Sequence, residues 1–215
     1  DPALMATDFG KALRAKIDAG DLPGAWEVWS KSKAAGKDPL AGQDAIYRNA
    51  WTTLTAAAEK HNEPGRFTAL IGFEWTSAYE RNNLHRNVIF RGGKKNADTI
   101  IPFSSFDSVD PEELWKWMAS FEQRTGEKLL AIPHNGNLSN GRMFELQTFN
   151  GEPLTKEWAE QRAKWEPLFE AIQYKGQSEA HPSLSPTDEF TAGYELWDRG
   201  NLTLVPKRPG MIAHE

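Results

Sequence analysis

An α/β fold is the class that this sequence predicts, and three observations predict it. Apolar, strand-like segments alternate with amphipathic helical segments from residue 67 onward. The apolar segments are hydrophobic on both alternating faces, which is typical of strands covered by other layers. The first 65 residues, in contrast, have helical periodicity only. We therefore expect a helical segment over 1–65 and an α/β part over 66–215.

Composition limits the functions that the chain can have. The 215 residues include 25 Lys and Arg against 30 Asp and Glu, a net charge of −5, so no basic field is present to attract nucleic acid. No apolar run approaches the ~18 residues of a membrane span, and the N-terminus lacks a targeting pattern. We expect a soluble chain of undetermined compartment. Because cysteine is absent, any metal site must use His, Asp and Glu.

Three helices are predicted in the N-terminal segment. The first has apolar residues at four-residue spacing, and the second has two tryptophans on one face. The third extends from about residue 44 to 60 with a continuous apolar stripe, and a Pro-Gly pair follows it. We interpret these stripes as packing faces. The residues that form the first two are Phe9, Leu13, Ile17, Trp26 and Trp29.

Two strands joined by a hairpin are predicted next. The segment FTALIGFEWT is apolar on both faces, and the segment HRNVIFR follows it after a short polar stretch. The seven residues of its polar run, SAYERNN, leave the register of the hairpin open. If the strands pair across a loop centred near residue 79 or 80, position 74 or 75 falls opposite position 85.

The later elements alternate between helix and strand. The run DPEE at 110–113 combines an N-cap residue, a first-turn proline and early acidic residues, so a helix should begin there and end near Gly126. The strand KLLAIPHNGN follows. A helix from Thr155 to about Lys164, a buried strand FEAIQY and a short helical stretch near Tyr194 complete the predicted order.

Three polar residues occur where predicted strands meet their loops. Glu74 lies near the end of an apolar strand, where a carboxylate is costly unless a metal or an ionic partner satisfies it. His85 begins the next strand, and His134 follows the apolar run LLAI. One carboxylate and two imidazoles at one end of a sheet can bind a divalent cation. We therefore predict a metal-binding and catalytic site formed by Glu74, His85 and His134.

Each of these three residues also has a structural interpretation, which the sequence leaves open. Glu74 can form an ordinary ion pair with an arginine. His85 can be a satisfied hairpin histidine, and His134 can be held by a neighbouring asparagine. The candidate partners are Arg81, Arg86 and Arg91 for Glu74, and Asn135 and Asn137 for His134.

A second polar loop, KGQSEAHP, follows the segment FEAIQY. Its Lys175 can hold an anionic substrate group, and Glu179 and His181 can add metal ligands. The competing interpretation is a solvated loop, because nearby proline and serine turn residues account for the polar content. Arg86 and Asn135, which follow the two histidines in the sequence, are further candidates for substrate binding.

Several segments resemble the family called domain of unknown function 3604. They are IGFEWTS, NNLHRNVIF, PFSSFDSVDPEELWKWM, LLAIPHNGNLSNG and the run from YKGQSEAHP to WDRGNL. That family in turn resembles a branch of the polymerase and histidinol phosphatase (PHP) superfamily. The resemblance implies a seven-stranded distorted β/α barrel, and it matches Glu74, His85 and His134 to metal ligands of that superfamily.

The resemblance implies a metal-dependent hydrolase of phosphoesterase type that uses zinc, manganese or iron and acts on a small phosphorylated molecule. The sequence lacks the His-x-His and Asp-x-His motifs of the superfamily. We therefore expect a central fragment of a partial PHP-like (β/α)7 barrel, inactive alone, with 1–65 as an insertion or lid. Its exposed strand edges can cause self-association. The alternative is a non-catalytic module that binds a partner or glycan and contains a structural Glu/His cluster.

Overall fold

Helices and small sheets together form the protein, as the predicted α/β class requires. The computed structural model describes residues 1–34, 36–182, 184–191, 199–200 and 205–206. The chain divides into two compact units. The first is Asp1–Ala69 with Gly93–Pro102, and the second is Leu70–Gly92 with Phe103–Glu215. The lid role of the N-terminal segment stays a prediction.

The described part of the first unit is helical. Its helices are α1 (Pro2–Ala6), α2 (Asp8–Asp18), α3 (Leu22–Ala34), α4 (Asp44–His61) and α5 (Lys94–Ala97). The buried Trp51 of α4 donates a hydrogen bond from its indole to the carbonyl of Ala97 at 2.8 Å, which joins α4 to α5. Trp26 and Trp29 of α3 are instead 64% and 39% exposed, with ring centroids 4.9 Å apart. The predicted packing face of α3 is therefore a partly exposed surface.

A three-stranded antiparallel sheet is the centre of the second unit. Its strands lie in the order β1 (Gly72–Trp75), β2 (Arg86–Phe90) and β3 (Leu129–Pro133). The predicted hairpin between the first two strands is confirmed, since β1 pairs antiparallel with β2. β3 lies on the other side of β2 and is also antiparallel to it.

One face of this sheet packs into the core beneath two helices, α6 (Pro111–Thr125) and α7 (Lys156–Trp165). Phe90 of β2 meets Phe121 of α6 edge to face, with ring centroids 5.2 Å apart. The buried residues of this layer are Trp75, Val88, Phe90, Ala131, Leu114, Met118, Phe121 and Trp165. The apolar segments that the sequence predicts as covered strands and packed helix faces therefore form the core of this unit.

The boundaries predicted for α6 are confirmed. The Asp110 carboxylate accepts a hydrogen bond from the backbone N–H of Glu112 at 2.7 Å, which caps the first turn. Gly126 ends the helix with a left-handed φ of 74°, a conformation that glycine adopts without a Cβ clash. Thr155 likewise caps α7 by accepting a hydrogen bond from the N–H of Trp158.

The barrel expectation does not agree with the described strands. Within the residues that the structure describes, no sheet closes into a barrel, and the three central strands are antiparallel. A (β/α)7 barrel requires parallel strands. The physical reason lies in the hairpin between β1 and β2, because so short a connection joins only antiparallel neighbours.

The segment FEAIQY does not form a buried strand either. Only Ile172–Gln173 is extended (β4), and it pairs with Gly176–Gln177 (β5) in a tight hairpin. Ile172 is 56% and Tyr174 is 92% exposed. Gly176, the first residue of β5, has a φ of 127°, which permits the tight turn that reverses the chain after β4.

Two further features complete the description. A short antiparallel pair, β6 (Arg199–Gly200) with β7 (Val205–Pro206), follows later in the chain. The helical stretch predicted near Tyr194 lies outside the described residues. Among the helices described, none has both the length and the apolar character of a membrane span.

Candidate metal centre

The three predicted ligands meet at one end of the three-stranded sheet. Because β2 is antiparallel to both neighbours, the carboxyl ends of β1 and β3 and the amino end of β2 lie together. Trp75 of β1 pairs with Arg86 of β2 at this end. Glu74 lies one residue before that pair, and His85 directly precedes β2. His134 directly follows β3.

The alternation of side chains places all three ligands on the same face of the sheet. Glu74 pairs with Asn87, and His85 lies two residues before Asn87, hence on the same side. The backbone N–H of His134 donates to the carbonyl of His85 at 3.3 Å, so the two histidines lie opposite each other. The predicted register, with position 74 or 75 opposite 85, is wrong. Glu74 nevertheless contacts both histidines, because its side chain is long enough to reach them from a neighbouring position of the sheet.

One carboxylate oxygen of Glu74 contacts both imidazoles. Glu74 Oε1 lies 2.9 Å from His85 Nδ1 and 3.0 Å from His134 Nε2. The two imidazole rings are 5.7 Å apart and nearly perpendicular. Among the described residues, Glu74 forms its ion pairs with these two histidines. The alternative, an ion pair of Glu74 with Arg81, Arg86 or Arg91, is not observed there.

The environment of the cluster keeps the carboxylate ionised. The hydrogen bonds from His134 and His85 lower the pKa of Glu74 well below its usual range and outweigh the opposing effect of its partial burial. The His134 side chain is buried, whereas that of Glu74 is 45% exposed. The site thus combines a buried histidine anchor with a carboxylate that solvent can reach.

The donor set fits a divalent metal ion. One carboxylate oxygen and two imidazole nitrogens lie within 4.8 Å of one another, and zinc, manganese and iron accept such ligands. Around a tetrahedral ion with bonds of ~2.1 Å, ligand atoms lie ~3.4 Å apart. The two contacts of Glu74 would therefore lengthen by a few tenths of an ångström on binding. Three protein ligands also leave a coordination position open, as in catalytic zinc sites.

Arg86 lies on the opposite face of the sheet from this cluster. Its side chain is only 2% exposed, and its Nε donates to Glu166 Oε1 at 2.9 Å. Trp115 and Arg162 contact the same carboxylate at 2.9 and 3.1 Å. Burial opposes the ionisation of Glu166, but the charges of Arg86 and Arg162 outweigh it and hold its pKa below the usual value. This arrangement makes Arg86 part of a buried ion-pair network rather than of the Glu/His cluster.

Asn135 is placed directly beside the cluster, next to His134. It is only 2% exposed, and its backbone has a left-handed φ of 55°. Neither polar atom of its amide has a hydrogen-bond partner in the described part of the chain. A buried amide without partners is costly, and such groups occur at functional sites. The substrate contact predicted for Asn135 is compatible with this position and stays a prediction.

The residues of the KGQSEAHP loop are not part of the ligand cluster. Lys175 lies in the exposed turn of the β4–β5 hairpin, and its carbonyl accepts a hydrogen bond from the Asn137 amide at 3.1 Å. Glu179 and His181 follow this hairpin. In the described chain, the metal-ligand group consists of Glu74 and the two histidines without them. The metal-binding role predicted for Glu179 and His181 has no support from this grouping.

Sequence reasoning missed the polar residues of the two loops beside the cluster. These are Glu80, Asn140 and Arg142, together with Arg81, which the sequence suggested only as an ion-pair partner of Glu74. Glu80, Arg81 and Asn140 have left-handed φ angles. The Asn-Gly pairs in NGNLSNG are a signal for such turns. Nothing comparable marks Glu80 and Arg81, because Glu and Arg, unlike Asn, are not residue types that favour a positive φ.

Comparison with known proteins identifies one family. A family model described as "Protein of unknown function (DUF3604)" matches residues 23–215, which is most of the chain. No curated protein and no solved structure matches the chain.

Proposed function

We propose that this chain, which belongs to the DUF3604 family of proteins of unknown function, contains the metal centre of a hydrolase of phosphoesterase type. The observation that supports the proposal is the contact of one Glu74 oxygen with nitrogens of His85 and His134 at 2.9 and 3.0 Å. The donors of one carboxylate and two imidazoles suit zinc, manganese or iron.

The residues of the cluster have different roles in binding a metal ion. A divalent ion held here would bring the pKa of a coordinated water toward ~7 and stabilise developing negative charge. Glu74 is already ionised, so it need not lose a proton before it binds the ion. The buried His134 fixes one side of the site, and the partly exposed Glu74 faces the side from which a substrate can approach.

Substrate contacts are proposed for two residues near His134. Asn135 has an amide that can donate to and accept from a substrate group. Lys175 is an exposed cation whose backbone is hydrogen-bonded to Asn137 in the loop that follows His134, and it suits an anionic group. Arg86 receives no such role, because Glu166 and the carbonyl of Leu84 accept its hydrogen bonds.

The link to the PHP superfamily is part of the proposal. The resemblance implies further metal ligands beyond the three present, supplied by other parts of a longer protein. We therefore expect weak binding of one or two ions and little turnover by this chain alone, because affinity depends on a complete ligand set.

Metal content is the direct test. Wild type, Glu74→Gln and His134→Ala are purified without chelator, dialysed against equal zinc and manganese, and measured by elemental analysis. His61→Ala is the matched control, since His61 lies outside the cluster. We expect bound metal in wild type and His61→Ala and a large loss in the two cluster variants. Equal, negligible metal in all four proteins would refute the site. Hydrolysis of generic phosphate mono- and diesters with added metal then tests the reaction class.

The second candidate function is a non-catalytic binding module. It is favoured by the exposed Trp26 and Trp29, whose rings form a paired surface on α3, since aromatic faces stack on sugars. In that case the Glu/His hydrogen bonds are purely structural. Saturable quenching of tryptophan fluorescence by sugars, together with no effect of manganese or zinc, would favour this function over the hydrolase.

A further inference from the structure

Two loops beside the Glu/His cluster contain strained backbone. Loop A is residues 76–84, between β1 and the cluster histidine that precedes β2. Loop B is residues 135–142, which follow His134. Within the described chain, every non-glycine residue with a left-handed φ lies in one of these loops: Glu80, Arg81, Asn135 and Asn140. Such conformations persist only where the surrounding structure holds them, and they concentrate at functional sites.

Three polar contacts join loop A to loop B, and we call them the loop clasp. The first is a backbone hydrogen bond and the second joins two side-chain amides. The third is an ion pair whose arginine lies over the ring of Tyr79, 5.3 Å from its centroid. They are Asn83 N to Leu138 O at 3.0 Å, Asn140 Nδ2 to Asn82 Oδ1 at 2.8 Å, and Arg142 to Glu80 at 2.9 Å.

Hydrogen bonds connect the clasp to both histidines of the cluster. The N–H of His85 donates to the Asn83 side chain at 2.9 Å, and the N–H of Leu138 donates to the carbonyl of Asn135 at 3.0 Å. Asn135 is bonded in sequence to His134, whose N–H donates to the carbonyl of His85. The links therefore form a closed circuit that passes through both metal-binding positions.

We propose that the loop clasp positions His85 and His134 for metal binding, with Asn140, Arg142 and Glu80 as positioning residues that do not touch the metal. This inference rests on the proposed function. Residues that orient metal ligands through hydrogen bonds contribute to metal affinity even at one remove. As a contribution to stability alone, the Arg142–Glu80 pair is weak, because these side chains are 32% and 55% exposed and water screens their charges.

Charge effects and positioning make opposite predictions for one variant. Arg142→Met removes a positive charge, which by simple electrostatics favours binding of a cation. Loss of positioning, in contrast, weakens binding. Glu80→Gln removes a negative charge from the other side of the same ion pair. If the clasp acts by positioning, both variants bind Mn²⁺ more weakly than wild type, whatever the sign of the charge removed.

Asn140→Gly tests the amide link separately. Glycine adopts the left-handed φ of 55° without strain, which offsets the loss of the hydrogen bond to Asn82. The melting temperature of the metal-free variant should therefore stay close to that of wild type, while its Mn²⁺ affinity falls. Lys128→Met is the matched control, because it breaks an ion pair with Glu122 next to the opposite end of β3.

The experiment measures Mn²⁺ dissociation constants by calorimetry, metal-free melting temperatures by circular dichroism, and the visible spectrum of the Co²⁺-loaded protein. We expect roughly 10-fold weaker Mn²⁺ binding and a changed Co²⁺ spectrum in the Arg142, Glu80 and Asn140 variants, and neither change in Lys128→Met. Wild-type affinity and spectrum in all three clasp variants, or tighter binding by Arg142→Met, would overturn the positioning role alone. A wild-type protein that binds no Mn²⁺ would overturn the proposed function and this role with it.

Discussion

Replacing Glu166 by glutamine is expected to destabilise the second unit strongly, because it leaves buried charge without a partner. The Glu166 carboxylate, 1% exposed, lies 2.9 Å from the Nε of Arg86 and 3.1 Å from Arg162. It also accepts a hydrogen bond from the Trp115 indole at 2.9 Å. Glutamine keeps the shape and one acceptor, but it removes the charge that faces two guanidinium groups.

The magnitude follows from the burial of the network. Removing one partner of a buried ion pair costs about 3–5 kcal/mol. For a chain of this size, each kcal/mol lowers the melting temperature by roughly 2–4 °C, so Glu166→Gln should melt roughly 6–20 °C below wild type. The double variant Arg86→Met with Glu166→Leu should lose less than Glu166→Gln, because it leaves Arg162 as the one unpaired charge and fills the space with apolar groups.

The assay is urea and thermal denaturation followed by circular dichroism. Lys116→Met provides an exposed-pair control, since Lys116 and its partner Glu113 are 71% and 47% exposed and surface pairs contribute at most about 1 kcal/mol. A Glu166→Gln protein within about 1 kcal/mol of wild type would refute the buried network. It would also reopen the case for Arg86 as a residue that contacts substrate.

Three further predictions concern metal, pH and backbone strain. Mn²⁺ at 100 times its dissociation constant should stabilise wild type by about 2.7 kcal/mol, and Glu74→Gln should show no such rise in melting temperature. Burial raises the pKa of Asp110, so the unfolding free energy of wild type falls as the pH rises through that pKa. Asp110→Asn, which keeps the cap to Glu112, should therefore be more stable than wild type at pH 7 but not at pH 3 in denaturation curves. Asn135→Gly should raise the unfolding free energy by about 1–2 kcal/mol, because it removes both the positive-φ strain and an unpartnered buried amide. Asn140→Gly should show no gain, because the amide of Asn140 is hydrogen-bonded to Asn82. Equal gains in the two variants would contradict this reasoning.

Local signals in the sequence predicted the helices well. The run at 110–113 and Gly126 mark the ends of α6 because capping depends on residues within one turn of the helix end. The three cluster residues were also recognisable, since each polar side chain interrupts an apolar run at its end. Their spacing predicted proximity but not the partner atoms.

Whether a segment forms a strand, and how strands joined by long connections are oriented, depended on contacts that local patterns do not contain. The segment FEAIQY has an apolar pattern typical of a buried strand, yet in the described structure Ile172 pairs with the short β5 and stays 56% exposed. The same holds for the barrel expectation, because the hydrophobic pattern of a buried strand does not specify whether its neighbours are parallel or antiparallel.

The amino-acid order by itself determined where helices begin and end and which polar residues interrupt apolar strands, since these properties arise within a few residues along the chain. Only the tertiary structure decided that Arg86 is buried against Glu166 and that Glu74 lies between two histidines. Those outcomes depend on the pairing of β2 with both of its neighbours, and that pairing joins residues as far apart in the chain as Arg86 and Pro133. Long-range register is set by the packing of the whole unit, which no short window of sequence encodes.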